Sequence, residues 1–227
     1  ATNLKVIGRA GIGVDNIDVA AAGKKGIIVM NTPEGNIITT AEHTMALMLS
    51  MSRNIPQARS MLKDQKIWAP KKFMGKELHS KTLGIVGLGR IGTIVAERAK
   101  GFYMKILVHD PFISKEHAEK IGVEVVELSD LLKRSDYISL HTPSLDGKPL
   151  LSTKEFNLAK PGIRIVNCAR GNLIDDDALI EAINSKQVAQ AALDVYAKEP
   201  LAMDSPLLTM DEIICTPHLG ASTEEAQ

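Results

Sequence analysis

Short apolar runs alternate along this chain with longer segments in which apolar residues recur three or four positions apart. The apolar runs predict β-strands at residues 4–7, 27–30, 83–86, 105–109, 123–125, 137–140, 163–166, 189–193 and 212–215. The periodic segments predict helices at residues 16–25, 39–63, 90–101, 114–121, 128–134, 153–158, 175–185 and from 222 onward. This alternation with short connections predicts an α/β fold, a doubly wound parallel sheet with helices on both faces.

The helix predicted over residues 39–63 is longer than the others and carries Met45, Met48 and Met51 among its apolar positions. We interpret these flexible side chains as core or interface packing. Because this helix precedes the glycine-rich strand, it could bridge two domains or meet a second subunit. We therefore expect a homodimer or a higher homo-oligomer, with this arm as the candidate interface.

The two ends of the chain predict parts of a second domain. Two strands and one helix near the N-terminus cannot bury both faces of a parallel sheet. Ser222 and Glu225 have the spacing of a capping box, which predicts that a helix starts there. We therefore interpret the chain as a piece of a longer protein. Its expected parts are a partial substrate-binding domain over residues 1–36, a nucleotide-binding domain over 37–221 and the start of a returning helix over 222–227.

A glycine-rich turn follows the strand predicted at residues 83–86. Gly87, Gly89 and Gly92 form a G-x-G-x-x-G pattern, and a helical segment follows at once. In such a unit the first glycine permits a tight turn, the second lets the backbone approach a pyrophosphate, and the third lets the helix pack closely on the strand. The phosphates then meet the free amides at the positive end of the helix. The pattern predicts a Rossmann-type dinucleotide site; the alternative is a glycine-rich turn without a ligand.

Asp110 ends the next predicted strand, eighteen residues after Gly92. A carboxylate at this place can accept hydrogen bonds from both hydroxyls of an adenosine ribose, whereas it would repel a 2′-phosphate. Pro111 and Phe112 add no positive charge beside it. The sequence therefore predicts NAD rather than NADP as the cofactor.

The 27 basic and 27 acidic residues cancel, and no basic patch or tail stands out. This balance gives no indication of a nucleic-acid partner or of an acidic membrane surface. No apolar run approaches the length of a membrane span, and no signal peptide opens the chain. Cys168 and Cys215 form neither a disulfide framework nor a zinc pattern, so we expect no metal and a reducing, cytoplasmic compartment.

Further reactive side chains lie at or just beyond predicted strand ends, the edge at which open α/β sheets bind ligands. Arg170 offers a planar fork for a carboxylate, although it could instead bridge a helix end or a surface acid. Asp194 could hold a polar ligand group such as the nicotinamide amide. His218 suits proton transfer near neutral pH, and Glu199 could stabilise its imidazolium. Taken alone, Glu199 could equally be an acidic loop residue that is exposed to solvent.

Hydride transfer between a carbinol carbon and nicotinamide requires one proton to move on the oxygen. A His–Glu pair can move that proton while an arginine holds the acid group of the substrate, and no metal is needed. The remaining histidines lack such a setting, and we interpret them as packing or surface residues: His43, His79, His109, His117 and His141.

The glycine-rich segment from Gly8 to Asp18 follows the first predicted strand. Its glycines could expose backbone amides toward an anion. The alternative is an ordinary tight turn into a helix, with Asp15 or Asn16 as the capping residue.

Together these segments resemble the NAD-dependent D-isomer 2-hydroxyacid dehydrogenases over essentially the whole chain. The resemblance implies an NAD domain of the Rossmann type and a second, flavodoxin-like α/β substrate domain made from both chain ends. Tyr103 stands where the resemblance implies a glycine, which could change the turn between helix and strand. The motifs that carry the resemblance are Gly8 to Asn16, Gly87 to Gly92, Asn167 to Gly171, Leu193 to Val195 with Glu199-Pro200, and Thr216 to Thr223.

The resemblance also implies a role for each matching residue. His218 would be the acid/base with Glu199 as its partner, and Arg170 would bind the substrate carboxylate and carbonyl, which makes these three the expected catalytic residues. Substrate contacts are also expected from Arg9, Ala10 and Gly11. Contacts to NAD are expected from Gly87, Gly89, Arg90, Ile91, Gly92, Asp110, Thr142, Pro143, Cys168, Ala169, Arg170, Asp194, His218 and Gly220.

Within the family, the motifs are most similar to the branch that oxidises 3-phospho-D-glycerate to 3-phosphohydroxypyruvate in L-serine biosynthesis. One alternative is a relative that acts on glyoxylate, hydroxypyruvate, lactate or another small 2-hydroxy acid. Another is an NAD-sensing co-repressor of the same fold, in which binding rather than turnover is the function. The residue sequences of the motifs Gly8 to Gly11 and Gly220 to Thr223 favour the enzyme over the co-repressor. A further alternative is that this fragment by itself is inactive.

Overall fold

The computed structural model describes residues 3–144 and 147–226, which form two parallel sheets. In the smaller sheet, β1 (Val6–Arg9) pairs with β2 (Ile28–Asn31). The larger sheet has the order β5-β4-β3-β6-β7-β8-β9, and all of its neighbouring strands are parallel. Its strands are β3 (Thr82–Val86), β4 (Lys105–His109), β5 (Glu124–Val125), β6 (Tyr137–Leu140), β7 (Ile163–Asn167), β8 (Val188–Leu193) and β9 (Ile213–Cys215).

The strand order of the larger sheet reverses between β3 and β6. From β3 the chain adds β4 and β5 on one side, then returns to add β6 and the later strands on the other. In doubly wound sheets this switch point opens a crevice beyond the carboxyl ends of the strands, where ligands bind. The α/β, Rossmann-type class predicted from the sequence is confirmed.

Helices cover both faces of the larger sheet. Leu131, Phe156 and Leu179, from three different helices, belong to the buried cluster on one side, and Met48 and Val95 belong to the cluster on the other. None of the helices in the described ranges has the length and apolar character needed to cross a bilayer. The helices are α1 (Val19–Lys24), α2 (Ile37–Ser52), α3 (Ile55–Lys63), α4 (Arg90–Gly101), α5 (Lys115–Ile121), α6 (Leu128–Arg134), α7 (Thr153–Leu158) and α8 (Asp176–Asn184), with short 3₁₀ turns at Pro70–Phe73, Gly171–Leu173 and Pro206–Thr209.

The prediction of one helix over residues 39–63 is wrong, because the chain breaks between α2 and α3. Asn54 adopts a left-handed conformation with φ 51°. Pro56, in the first turn of α3, has no N–H to donate to the Ser52 carbonyl, which instead accepts from the Lys76 amide at 2.8 Å. The interpretation of the methionines as core residues is confirmed for α2, in which Met45, Met48 and Met51 are buried.

Two predicted helix starts are also wrong. Asp18, rather than Asp15 or Asn16, caps α1 by accepting from the Ala21 amide at 2.8 Å. Residues 222–226 form turns instead of a helix, and Thr223, rather than Ser222, accepts from the amide three residues later. In both places a neighbouring side chain of the capping type is the acceptor, a choice that spacing alone leaves open.

Tyr103 lies in the turn between α4 and β4, where the resemblance implied a glycine. Its φ is 57°, in the left-handed region that glycine occupies most readily. The amide of Tyr103 donates to the Lys100 carbonyl at 2.8 Å, and its exposed ring lies 5.5 Å from that of His79. The turn therefore keeps a left-handed conformation although the residue is not a glycine.

Candidate active site

The glycine-rich turn at the end of β3 has the shape required of a dinucleotide cradle. Gly87 has φ 92°, and a Cβ on it would lie 2.8 Å from the carbonyl of His141. A Cβ on Gly92 would overlap the carbonyl oxygen of Gly87, so the helix can approach the turn only with a glycine there. A Cβ on Gly89 would meet no atom within 4 Å. The space above Gly89 fits the close approach of a pyrophosphate to the backbone.

Asp110 is anchored against this turn. Its Oδ2 accepts from the Leu88 amide at 2.7 Å, and its Oδ1 accepts from the Phe112 amide at 2.8 Å. A carboxylate has about four lone-pair sites, so both oxygens can still accept from ribose hydroxyls. The residues at this end of the site therefore fit the adenosine half of NAD.

Arg90 and Ile91 form the first turn of α4, next to the cradle. The Arg90 guanidinium turns toward the loop after β2, where Nη1 lies 3.2 Å from the Pro33 carbonyl and 3.4 Å from Glu34 Oε1. Both partners of this ion pair are largely exposed. Such pairs stabilise little, so the guanidinium can turn to a phosphate at small cost.

Thr142 and Pro143 follow β6, next to the glycine turn. The Thr142 amide would lie 3.0 Å from a Cβ on Gly87. Just before them, His141 is bonded to Ser139 at 2.8 Å, and burial lowers the pKa of His141 to about 4. This histidine is therefore neutral at physiological pH, which agrees with its interpretation as a packing residue.

Asp194, at the end of β8, is completely buried and has four hydrogen-bond donors around it. Oδ1 accepts from Thr216 Oγ1 at 2.6 Å, from the Leu219 amide at 2.8 Å and from His43 Nε2 at 3.1 Å. Oδ2 accepts from the Gly220 amide at 2.8 Å. Burial in itself raises the pKa of Asp194, but the bonds from His43, Thr216 and Leu219 outweigh it and hold the pKa below its usual value.

The structure gives His43 a carboxylate neighbour that the sequence interpretation did not expect, while its mostly covered side chain agrees with the expected packing role. Its side chain projects from α2 onto Asp194, and potential metal-ligating atoms of His43, Cys168 and Asp194 lie within 4.8 Å of one another. The Asp194 oxygens are already committed to the donors described above, and burial raises the pKa of the Cys168 thiol to about 12. The cluster is therefore organised as a hydrogen-bond network around a carboxylate.

His218 and Glu199 form a hydrogen-bonded pair beyond the carboxyl ends of β8 and β9. His218 Nδ1 lies 2.6 Å from Glu199 Oε2, and Glu199 Oε1 accepts from the Tyr196 amide at 3.0 Å. The Tyr196 hydroxyl lies 3.1 Å from the Leu193 carbonyl and 3.0 Å from the Thr216 carbonyl, and its one hydrogen is shared between them. The carboxylate is thus fixed on one side and holds the imidazole on the other, which leaves Nε2 for proton exchange.

Arg170 follows β7 in a turn that Asn167 stabilises. Asn167 Nδ2 donates to the Arg170 carbonyl at 2.8 Å, and Asn167 Oδ1 accepts from the Ala169 amide at 3.0 Å. The guanidinium reaches Asp15 in the loop after β1, with Nε 2.8 Å and Nη2 2.7 Å from Asp15 Oδ2. The guanidinium predicted to bind a carboxylate thus has its partner in the loop that follows β1 of the smaller sheet.

The loop after β1 carries the other predicted substrate residues. Arg9 Nη1 donates to the Ala10 carbonyl, so this guanidinium folds over its own loop. The Gly11 amide donates to Thr32 Oγ1 at 2.7 Å, a bond that the sequence did not predict. A substrate carboxylate at this loop would have to share or replace the Thr32 acceptor.

The amino-acid sequence of this chain also matches the model of a known protein family. Residues 45–220 match the D-isomer specific 2-hydroxyacid dehydrogenase, NAD binding domain. The chain therefore belongs to the D-isomer specific 2-hydroxyacid dehydrogenases, and it carries their NAD-binding domain. The family and the cofactor expected from the sequence are both confirmed.

Individual members of the family can be compared with this chain by sequence identity and by structural similarity. The D-3-phosphoglycerate dehydrogenase of Archaeoglobus fulgidus is 53% identical over 228 residues, which cover 100% of this chain and 43% of that protein. The chain thus spans about two fifths of the length of this curated relative. A glyoxylate reductase from Paecilomyes thermophila has a TM-score of 0.90 and 36% identity, covering 99% of this chain and 68% of that one. D-Lactate dehydrogenase from Aquifex aeolicus, complexed with NAD and lactic acid, has a TM-score of 0.87 and 31% identity, covering 98% and 72% of the respective chains.

Proposed function

We propose that the full-length protein to which this chain belongs oxidises a D-2-hydroxy acid with NAD, and that the acid is 3-phospho-D-glycerate. The observation that carries the proposal is the pair of Glu199 and His218 at 2.6 Å, on the same sheet edge as Arg170. The identity of the substrate is supported by the D-3-phosphoglycerate dehydrogenase that is 53% identical over the whole of this chain. The product would be 3-phosphohydroxypyruvate, in the direction of L-serine biosynthesis.

The proposed proton transfer uses the dyad. His218 Nε2 accepts the proton of the substrate hydroxyl, and the imidazolium that forms is stabilised by Glu199 against Nδ1. Arg170 binds the substrate carboxylate through the guanidinium hydrogens that Asp15 leaves free. Bound NAD would supply the acceptor for the hydride of the carbinol carbon, and loss of this hydride together with the hydroxyl proton would leave a carbonyl.

The proposed cofactor contacts follow the sheet edge from β4 to β9. Asp110 binds the ribose, the cradle from Gly87 to Gly92 with Arg90 and Ile91 binds the pyrophosphate, and Thr142 and Pro143 lie on the adenosine side. At the other end, Asp194 accepts from the nicotinamide amide. Cys168, Ala169 and Gly220 complete that end, with Arg9, Ala10 and Gly11 facing the substrate.

An unphosphorylated acid is the second candidate substrate. A cavity of about 270 Å³ adjoins the dyad, and its walls include the apolar side chains of Leu201, Met203 and Leu208. His218 is the one basic side chain among the described residues that line the cavity, so an ionised phosphate would lose hydration there with little compensation, and the walls suit an aliphatic substrate better. This feature favours a small apolar 2-hydroxy acid, such as the lactic acid bound by the Aquifex aeolicus enzyme.

We also propose the wider organisation of the protein. Residues 1–36 and 222–227 belong to the substrate-binding domain and residues 37–221 to the NAD-binding domain. The protein acts as a homo-oligomer in the cytoplasm, with an interface that includes α3, on which Ile55 and Leu62 are exposed. Sedimentation of the full-length protein tests the assembly, and a monomeric profile would reject it.

The first experiment is NADH formation by the full-length protein. It is supplied with NAD and 3-phospho-D-glycerate, with D-lactate, D-glycerate and glycolate as parallel substrates. A higher kcat/KM for the phosphorylated acid supports the proposal, whereas turnover of the other acids alone keeps the mechanism and changes the substrate. If none of the acids is turned over although NAD still binds, the proposed enzymatic function is rejected in favour of an NAD-sensing binding protein. A peptide-binding assay then tests that second function.

A further inference from the structure

We propose that His43 is a positioning residue for the nicotinamide end of the cofactor site, acting through Asp194. The inference rests on the proposed role of Asp194 as the acceptor for the nicotinamide amide. His43 Nε2 lies 3.1 Å from Asp194 Oδ1 and 3.4 Å from Thr216 Oγ1. His43 and Asp194 are 151 positions apart in the sequence and meet because α2 packs against β7 and β8.

The hydrogen bonds at Asp194 are unevenly divided between its two oxygens. Oδ1 accepts from His43, from Thr216 and from the Leu219 amide, whereas Oδ2 accepts from the Gly220 amide. An ionised carboxylate has about two lone-pair sites on each oxygen. The acceptor capacity that remains for a ligand is therefore concentrated on Oδ2. A primary amide N–H is a suitable donor for it.

His43 contributes to this asymmetry from a fixed platform. Thr40, His43 and Thr44 lie three and four residues apart on α2 and so share one face of the helix. On that face Thr40 Oγ1 donates to the Gly220 carbonyl at 3.0 Å, which ties α2 to the same segment that supplies an amide to Asp194. The helix thus holds both the carboxylate and the loop next to it, and His43 is its direct contact with the carboxylate.

The charge of Asp194 depends on this contact as well. The carboxylate is completely buried, which in itself favours the neutral form. The other titratable group of the cluster, Cys168, stays protonated because burial raises its pKa, and it brings no compensating charge. Removing the His43 donor leaves a buried acceptor with weaker compensation. The loss of this donor also allows the Asp194 carboxyl group to rotate or to take up a proton. After either change, an ionised Oδ2 no longer faces the nicotinamide amide.

The test compares two variants of the full-length protein by fluorescence titration with NADH. His43→Gln keeps an N–H donor near the position of Nε2, whereas His43→Leu keeps apolar volume and removes the donor. We expect about tenfold weaker NADH binding for His43→Leu and a change of less than about threefold for His43→Gln, since a hydrogen bond to a buried charge is lost only in the first. The loss should appear in the KM for NAD more than in kcat, because His43 Nε2 contacts Asp194 and not the reacting atoms.

A second ligand separates positioning from general damage. Reduced 3-acetylpyridine adenine dinucleotide carries a methyl group in place of the amide nitrogen and cannot donate to Asp194. Its affinity should fall less than about threefold in His43→Leu, so the variant discriminates less between the two dinucleotides. His117→Leu, a change of the same type at an exposed histidine of α5, should leave both affinities unchanged.

The outcomes are distinct. Equal loss of affinity for NADH and for the acetylpyridine analogue in His43→Leu would overturn the proposal in favour of a purely structural role. If His43→Leu does not fold, His43→Asn replaces it, because the shorter amide cannot reach Asp194. NADH affinities equal in the Asn and Gln variants would then overturn the proposal. Binding needs no substrate, so failure of the proposed hydroxy-acid oxidation would leave this result interpretable.

Discussion

Arg170 Nε donates to Asp15 Oδ2 at 2.8 Å, and Nη2 forms an ion pair with the same oxygen at 2.7 Å. Its remaining terminal nitrogen, Nη1, donates to the Ala169 carbonyl at 2.7 Å. The plane of the guanidinium is therefore fixed by the protein before any substrate binds. Gly13 makes this possible, because a Cβ there would overlap Arg170 Nη2 and lie 2.8 Å from Asp15 Oδ2.

Replacing Asp15 should weaken substrate binding without affecting the cofactor. In Asp15→Asn the guanidinium loses its charged partner and is held chiefly by the Ala169 carbonyl, so a substrate carboxylate must order it further on binding. We expect the KM of the hydroxy acid to rise about tenfold, with the dissociation constant of NADH unchanged. Steady-state kinetics and fluorescence titration measure the two quantities.

A matched control lies three residues away. Asp18→Asn makes the same charge change in the same loop, and asparagine caps a helix as well as aspartate does, so KM should stay at the wild-type value. An unchanged KM in Asp15→Asn, or an equal rise in Asp18→Asn, would contradict the positioning of Arg170 by Asp15.

The dyad predicts a larger and purely kinetic effect. His218→Ala removes the proposed proton acceptor, and kcat should fall about 10²–10⁴-fold while NADH still binds. Glu199→Gln keeps an acceptor for the Tyr196 amide but loses the charge beside His218, and we expect a smaller fall in kcat. In the double variant the two losses should be less than additive, since the residues act as one unit. Full additivity of the two effects, or normal turnover in His218→Ala, would remove the dyad from the mechanism.

Local sequence signals were sufficient for much of the Rossmann unit. The bounds predicted for α4, β4, α6, β6 and α7 coincide with the observed ones, because apolar periodicity and glycine punctuation mark these elements within a few residues. The break between α2 and α3 has a local signal as well, in Pro56. The sequence could not predict which donor would satisfy the Ser52 carbonyl at this break. In the structure that donor is the amide of Lys76, which is distant in sequence.

The site could be predicted only as far as strand ends determine it. Asp110, Asp194 and His218 follow strands of one parallel sheet, so their shared edge follows from topology. His43 and Asp15 lie on a helix and a loop that precede the sheet, and their partners are more than 150 residues away. No periodicity encodes such contacts, because they depend on how whole elements pack. The sequence therefore contains no pattern that indicates that His43 lies next to Asp194 in the folded chain.

The preference for NAD over NADP should depend on the charge of Asp110. In Asp110→Asn an oxygen still accepts from a backbone amide, but the repulsion of a 2′-phosphate is gone. We expect NADH binding to weaken about threefold and the NADPH/NADH ratio of dissociation constants to fall at least about tenfold. In Asp110→Ser, NADH binding should weaken further, since the acceptor shortens. A ratio that stays unchanged in both variants would assign the discrimination to other residues.

Gly171 connects the Arg170 turn with the loop that carries Glu199, and it should tolerate no side chain. It is buried, and a Cβ there would overlap the carbonyl group of Tyr196. Because the neighbour is backbone, Gly171→Ala should lower the free energy of unfolding by about 3 kcal/mol and Tm by about 6–12 °C. Gly101→Ala is the matched control, since that Cβ would meet nothing within 4 Å and alanine suits the end of α4. Thermal unfolding followed by circular dichroism compares the two variants. Equal Tm values would show that the two loops can separate, and Arg170 and Glu199 would then not be held in one rigid arrangement.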